Sequence, residues 1–288
     1  MKTNIKPPKQ QTAQHQDRQP GIESKMDPQP IYDSDSPGAH RLEGKVAIIT
    51  GGDSGIGRAI AVHFAKEGAD VAIVYLDEHE DAEKTKDVVA QYGKEALLIS
   101  TDISDEDNCK EAVEKVIEHF GHVEILVNNA AVQFEQHNVE DITAEQIQRT
   151  FSVNIFSQFY MTRFTVLHLK DGSTIINTAS ITAYRGNEVL MDYSSTKGAI
   201  VAFTRSLSHS LVKKGIRVNA VAPGPVWTPL IPASFPPEKV KEFGKDVPMG
   251  RPAQPAEIAP CYVFLASRES SFITGQVLHP NGGITVNT

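Results

Sequence analysis

Cysteine is almost absent: Cys109 and Cys261 are the only two in 288 residues. That is too few for a disulfide framework, and the Cys/His spacing of a structural zinc site is missing as well, so a reducing compartment and no metal centre are expected. Long apolar runs are lacking too. No stretch approaches the roughly 18 uninterrupted apolar residues that cross a bilayer, and Met1, Lys2, Thr3 and Asn4 lead into no signal-peptide core. A cytoplasmic protein with no membrane partner is the expectation. Positive charge is in deficit, with 28 Lys and Arg against 36 Asp and Glu and a formal net charge of -8. Long-range electrostatics then oppose a phosphate backbone, and nucleic acid is not an expected partner. What is present, 40% hydrophobic and 22% charged residues with 20 glycines and 17 prolines, is the composition of a globular protein.

Residues 1–40 are polar and poor in apolar side chains, and they carry prolines at 7, 8, 20, 28, 30 and 37. Alone they cannot bury enough surface to offset their ordering entropy. They read as an N-terminal arm that is either solvated or docked, on its own or a neighbouring subunit, through Ile22, Met26 and Ile31. Residues 41–288 read as one α/β domain, in which short β-rich runs alternate with amphipathic segments. The expected strands are Lys45–Thr50, Asp70–Tyr75, Ala96–Ser100, Glu124–Asn128, Thr174–Thr178, Arg217–Ala222 and Gln276–His279. Several are continuous apolar runs, as buried parallel strands are. Helices are expected near 56–67, 79–92, 105–120, 143–168, 192–213 and 255–267, the first closed by Gly68. The predicted fold is a single doubly wound parallel sheet of about seven strands flanked by helices.

The segment Thr50-Gly51-Gly52-Asp53-Ser54-Gly55-Ile56-Gly57 leaves the first strand and opens the first helix, where a dinucleotide-binding turn belongs. Gly51 permits the sharp exit, Gly55 lets the backbone approach a pyrophosphate, and Gly57 lets the helix pack close to the sheet. The N–H groups at the helix start are expected to face negative charge. A plain strand-to-helix loop is the alternative, since such loops also carry glycines. Tyr193 and Lys197 lie four apart at the start of a helix and so project from one face. A neighbouring ammonium favours the phenolate of a tyrosine. The duller reading is a surface pair in which the lysine stem covers the ring.

The spacing G-x-x-x-G-x-G after a threonine resembles the short-chain dehydrogenase/reductase family. Further landmarks follow in the family's order from about Leu42 to the C-terminus: Asn128-Asn129-Ala130-Ala131, with alanine at 131 where glycine is usual, then Ser180, Tyr193-Ser194-Ser195-Thr196-Lys197, and Pro223-Gly224 with Thr228. The pattern is similar to bacterial glucose-dehydrogenase-like and general-stress oxidoreductases. The resemblance implies a Rossmann-like fold and hydride transfer between a nicotinamide coenzyme and a ketone or aldehyde, or the matching secondary or primary alcohol. It implies Tyr193 as general acid/base, Ser180 as the hydrogen-bond partner of the substrate oxygen, and Lys197 as holder of the nicotinamide ribose. Asn154 would interrupt its helix to position a water in a proton relay. Asp53, Ser54, Ile56, Asn129, Ala130, Pro223, Gly224 and Val226 would join the three glycines around the coenzyme, with Thr228 on the carboxamide. A homo-oligomer, preferably a tetramer, is implied as well.

At the adenosine end, Tyr75 stands where many NAD-using members have Asp, and Leu76 where NADP-using ones often have Arg. Asp77 and Glu78 add negative charge that a 2′-phosphate would meet unfavourably. NAD is therefore the expected coenzyme and NADP the alternative. Arg58 is read as a solvated helical charge or a phosphate contact. Asp102 and Ile103 are read as an adenine-contacting pair, or Asp102 as a helix N-cap. In the loop after Gly224, Trp227, Leu230 and Ile231 are expected to cover the substrate, with Gln133, Phe134, Thr182, Tyr184, Asn187 and Asp192 as further walls. The helices near 143–168 and 192–213 carry apolar residues on more than one face, which suggests subunit contacts or a thick core. Ser180 lies outside any G-x-S-x-G elbow and the ten histidines are scattered, which disfavours hydrolase chemistry. A catalytically quiet dinucleotide-binding sensor or scaffold is the alternative from another class, and an acyl-carrier-linked reductase is an alternative within the same class.

Overall fold

The computed structural model describes residues 5–8 and 11–287; residues 1–4, 9 and 10 of the expected arm lie outside them. Seven strands form one parallel sheet: β1 (Val46–Thr50), β2 (Asp70–Tyr75), β3 (Ala96–Ser100), β4 (Ile125–Asn128), β5 (Thr174–Thr178), β6 (Arg217–Val221) and β7 (Val277–Leu278). Their order is β3-β2-β1-β4-β5-β6-β7. β1, β2, β4 and β5 are buried along nearly their whole length, because helices cover both faces of the sheet.

Alternation along each strand divides the core in two. Ala47, Ile49, Val71 and Ile73 face Ile60 and Phe64 of α1 (Gly55–Lys66) and Ile258 and Val263 of α9 (Pro255–Ala266). Val46, Ile48, Ala72 and Val74 face Val113 and Val116 of α3 (Glu106–Phe120) and Met161 of α5 (Ser157–Thr165). The remaining helices are α2 (His79–Ala90), α4 (Ala144–Phe151), the short α6 (Thr182–Arg185), α7 (Met191–Leu211) and α8 (Pro237–Glu242). Gly68, just past α1, takes a φ of 97°.

The segment expected as one helix near 143–168 is broken. A π-helical turn, Ser152–Phe156, separates α4 from α5 and contains Asn154. Such turns leave a backbone group out of register and mark functional sites in many helices. Ala131 has no positive φ; among the described residues His40 alone does so without being glycine, so alanine there costs no backbone strain.

β1 and β4 are neighbours, and the chain runs outward from them in opposite directions. Their carboxyl ends therefore open the crevice in which a doubly wound sheet holds ligands. Among the described residues no helix is long and apolar enough to cross a membrane, and no His/Cys/Asp/Glu group is arranged to hold a metal.

Candidate active site

A cavity of about 880 Å³ runs along the carboxyl ends of the strands. It is lined by Gly51, Asp53, Ser54, Gly55 and Ile56 of the glycine turn, by Tyr75 and Leu76 beyond β2, and by Asp102 and Ile103 beyond β3. Asn129 and Ala130 after β4 join them, as do Ser180, Tyr193 and Lys197, and Pro223, Gly224, Val226 and Thr228 after β6. Of the residues singled out in the sequence, Gly57 and Asn154 stand behind this wall.

The turn is held from below. Thr50 Oγ1 accepts from Asn129 N at 2.9 Å and Ala130 N at 3.1 Å, and Asn129 Nδ2 donates to the carbonyls of Thr50 and Gly51 at 3.1 and 3.2 Å. A Cβ at Gly57 would strike the Gly51 carbonyl oxygen and Asn129 Nδ2. The close approach at this glycine is therefore to the turn itself more than to the sheet. Gly55 has a φ of 51°, and a side chain there would press on Thr228. The bare positions thus serve the close packing of the turn on Asn129, Ala130 and Thr228.

One expected donor is already engaged. Gly55 N, at the start of α1, donates to Glu23 Oε2 at 2.6 Å. Glu23 comes from the arm and is wholly buried, as is its partner Arg58, which also pairs with Asp81 Oδ1 at 3.1 Å. Arg58 Nε further donates to the Asp53 carbonyl at 3.0 Å and to Thr85 Oγ1 at 2.8 Å. Arg58 is thus neither a solvated charge nor a phosphate contact, because these partners enclose it. Burial pushes the Glu23 carboxyl above the usual range, with Arg58 and the Gly55 N–H opposing.

Among its described residues the arm is docked on the domain. Met26 is buried with Leu190, Tyr193, Trp227, Ile231 and Phe235. Gln16 N donates to the Pro232 carbonyl at 2.8 Å, Trp227 Nε1 to the Pro28 carbonyl at 2.8 Å, and Ala256 N to the Ile31 carbonyl at 2.9 Å. Pro20 and Gly21 line the cavity. Sequence reasoning missed these two, together with Glu23. Their only signal was a Pro-Gly turn pair and a carboxylate inside a polar segment, which does not tell where the segment lies.

Tyr193 and Lys197 both project from α7 into the cavity, and Lys197 is 1% exposed. Lys197 Nζ donates to the Thr178 carbonyl at 2.8 Å and lies 5.3 Å from the centre of the Tyr193 ring. Ser180 sits beside Tyr193 in the cavity wall and favours ionisation of its hydroxyl. The expectation that the ammonium lowers the phenol is reversed in the unliganded chain. Burial pushes Tyr193 up to about 12, Ser180 opposing, and burial pulls Lys197 down to about 7. Desolvation disfavours both charged forms and outweighs their mutual attraction. Asn154 is buried in the π-helical turn. Its Oδ1 accepts from Val132 N at 2.8 Å, and its Nδ2 donates to the Val132 carbonyl at 2.8 Å and to Thr196 Oγ1 at 3.2 Å.

Asp102 does not cap α3; Asp105 does, accepting from Asn108 N at 3.1 Å. Asp102 instead accepts from Ser104 N at 2.9 Å and pairs with Arg149 Nη1 at 2.9 Å. Leu230 and Ile231 line the cavity, whereas Trp227 turns toward the arm. Gln133, Thr182 and Asn187 also line it. Phe134 faces a separate small pocket, Asp192 accepts from Thr150 Oγ1 at 2.7 Å, and Tyr184 packs edge-on against His279.

A protein-family model described as enoyl-(acyl carrier protein) reductase matches residues 51–285. General stress protein 39 of Bacillus subtilis is 61% identical over 282 residues, 98% of this chain and 99% of that one. The glucose and ribitol dehydrogenase of Daucus carota is 54% identical over 281 residues, 95% of this chain and 97% of that one. The crystal structure of a short-chain dehydrogenase from Burkholderia cenocepacia in complex with NADP superposes with a TM-score of 0.80 at 32% identity, covering 84% of this chain and 98% of that one. With the parallel sheet, the glycine turn and the Tyr-x-x-x-Lys helix around one cavity, these likenesses have one reading: the chain belongs to the short-chain dehydrogenase/reductase family of oxidoreductases.

Proposed function

We propose that the protein is an NAD(P)-dependent oxidoreductase that interconverts a small ketone or aldehyde and the corresponding secondary or primary alcohol, with Tyr193 as general acid/base. The observation that carries this reading is the convergence of Ser180, Tyr193 and Lys197 on the cavity that also contains the glycine turn. A nicotinamide dinucleotide bound along the turn supplies the hydride chemistry. Gly51, Ser54 and Ile56 would line its phosphate-bearing half, and Thr228, Val226, Pro223 and Gly224 its nicotinamide half.

On reduction, Tyr193 Oη gives its proton to the carbonyl oxygen; on oxidation it takes that proton back. Burial keeps the phenol protonated in the free chain, so the site is ready as an acid before any substrate arrives. Ser180 Oγ donates to the same oxygen and holds it against Tyr193. Lys197 fixes the ribose side of the pocket and links Tyr193 toward Asn154 for proton exchange. Leu230 and Ile231 exclude water above the reacting carbon.

The Daucus carota relative acts on glucose and ribitol by name, which makes polyols and their carbonyl forms the first substrates to test. Phe159 of α5 is half exposed and stacks on Phe203 of α7 with ring centres 4.1 Å apart; this apolar face suits the paired-helix contact of a homotetramer. The decisive experiment follows NADH and NADPH absorbance over a panel of carbonyl compounds with the wild type and Tyr193→Phe. Turnover by the wild type, lost in Tyr193→Phe with coenzyme binding kept, supports the enzyme. Tight coenzyme binding without turnover on any compound supports a sensor or scaffold instead.

A further inference from the structure

The adenosine end of the groove is where the sequence offers least, since neither an acid nor a base stands at its usual place. The fold brings a base there from the arm. Arg18 Nη2 pairs with Asp77 and, at 2.8 Å, with Glu78 Oε1, while its Nε donates to the Pro20 carbonyl at 3.0 Å. Nη1 has no partner among the described residues. The Arg18 side chain is 40% exposed, whereas Glu78, itself part of the cavity wall, is 1% exposed.

The next residue pins the same point of the arm to the opposite rim. Gln19 Oε1 accepts from Gln133 N at 3.1 Å, and Gln19 Nε2 donates to the carbonyls of Gln133 and, at 3.3 Å, Ala233. Two consecutive residues therefore tie the arm to both sides of the groove, and Pro20 and Gly21 complete its wall. Arg18 does not itself line the cavity; its pairing with Glu78, which does, places it at the rim, and the Gln19 side chain holds the neighbouring chain.

Charge at this end differs from what the β2 tip alone suggests. Burial and the Asp77 hydrogen bond push Glu78 up to about 8, while the same hydrogen bond and Arg18 hold Asp77 below the usual range. The two acids thus present less negative charge to Arg18 than two solvated carboxylates would. A guanidinium has five N–H donors in a planar fork that fits phosphate, and the Nη1 pair remains to be used.

We propose that Arg18 is a specificity-determining residue for the coenzyme: the arm delivers a guanidinium to the adenosine end of the groove, where it takes the 2′-phosphate of NADP(H). The assignment rests on reading the groove as a dinucleotide site and adds a determinant that lies outside the glycine turn and the strand tips.

The test uses the full-length chain and reads binding, not turnover. NADPH and NADH are titrated by fluorescence, and 2′,5′-ADP and 5′-AMP by calorimetry, against wild type, Arg18→Ala, Arg18→Lys and Gln19→Ala. One charge-assisted contact to phosphate is worth roughly tenfold or more in affinity. Arg18→Ala is expected to weaken NADPH and 2′,5′-ADP by about that factor and NADH and 5′-AMP by less than about threefold. Arg18→Lys, which keeps the charge but not the fork, is expected to fall between. Gln19→Ala loosens the stretch of arm that positions Arg18 and is expected to lower the NADPH-to-NADH ratio in the same direction, by less than Arg18→Ala. Equal losses for both coenzymes in Arg18→Ala overturn the assignment, as does a wild type that prefers NADH and 5′-AMP. A wild type that binds neither dinucleotide overturns the reading of the groove itself, and this assignment with it.

Discussion

Lys197 Nζ stands 5.3 Å from the centre of the Tyr193 ring, and its hydrogen bond goes to the Thr178 carbonyl. The amine is thus buried against the ring's carbon frame with one carbonyl as partner, and desolvation pulls it down to about 7. Between pH 7 and its ordinary value of 10.5 the unfolded chain binds a proton here that the folded chain does not. Stability therefore rises with pH across that window, and below pH 7 the folded state carries the full cost of a charged, buried amine. Lys197→Met should lose turnover yet be the more stable protein at pH 6, with the gap in urea midpoint narrowing by pH 9. A gap that stays constant or widens toward pH 9 contradicts the burial argument.

Ser180 sits beside Tyr193 and lines the cavity. Its hydroxyl is a donor aimed at the substrate oxygen as charge develops there, so Ser180→Ala should lower kcat by about 10²- to 10³-fold. Coenzyme affinity, read by fluorescence titration, should stay within about twofold, since the serine meets substrate and not the dinucleotide. Loss of coenzyme binding together with kcat would mean that Ser180 is structural.

Glu23 reaches both Arg58 and Gly55 N from the arm. In Glu23→Gln the amide nitrogen must face one of two donors, and the buried guanidinium keeps only Asp81 as a charged partner. Removing one member of a buried ion pair costs about 3 kcal/mol or more, which for a domain near this size is a fall of roughly 6 to 12 °C in Tm. Scanning calorimetry decides it, and a shift below about 2 °C would show that the pair contributes little. Limited proteolysis should also cut the arm of the variant faster.

Gly57 has no room for a methyl group, because the Gly51 carbonyl oxygen and Asn129 Nδ2 occupy its place. Gly57→Ala must displace the turn, at about 1–3 kcal/mol of overpacking. NADH and NADPH affinities should both fall, in contrast to the selective effect expected at Arg18. Unchanged affinity for both would separate the turn's geometry from dinucleotide binding.

The strands were legible in the sequence because parallel strands buried on both faces are short unbroken apolar runs; β2, β3 and β5 begin and end where the composition changes. The helical pattern near 143–168 reads as one helix, and the interruption at Asn154 was expected only from the family resemblance. Phe151, Phe156, Phe159, Tyr160 and Phe164 keep a helical texture through the π-helical turn, and what breaks the register is a tertiary event, the bonding of Asn154 to both polar groups of the Val132 backbone. The glycine turn, Asn129 and Pro223 were readable for a related reason, since each follows a strand end, whereas the walls from Arg185 to Leu190 and from Phe235 to Val247 lie on loops and short helices without such a register. The arm has none either. Glu23 and Arg18 act on residues about 35 and 60 positions away, and a polar, proline-bearing segment gives no local sign of the surface it will meet. Arg58 was misread for the same reason, its main partner being on that arm.

Trp227 is the only tryptophan of the chain, fully buried, with its indole N–H on the Pro28 carbonyl. The molecule therefore carries its own optical gauge of the contact between the arm and the loop above the cavity. Release of the arm would admit water to the indole and move its emission to the red, without any label.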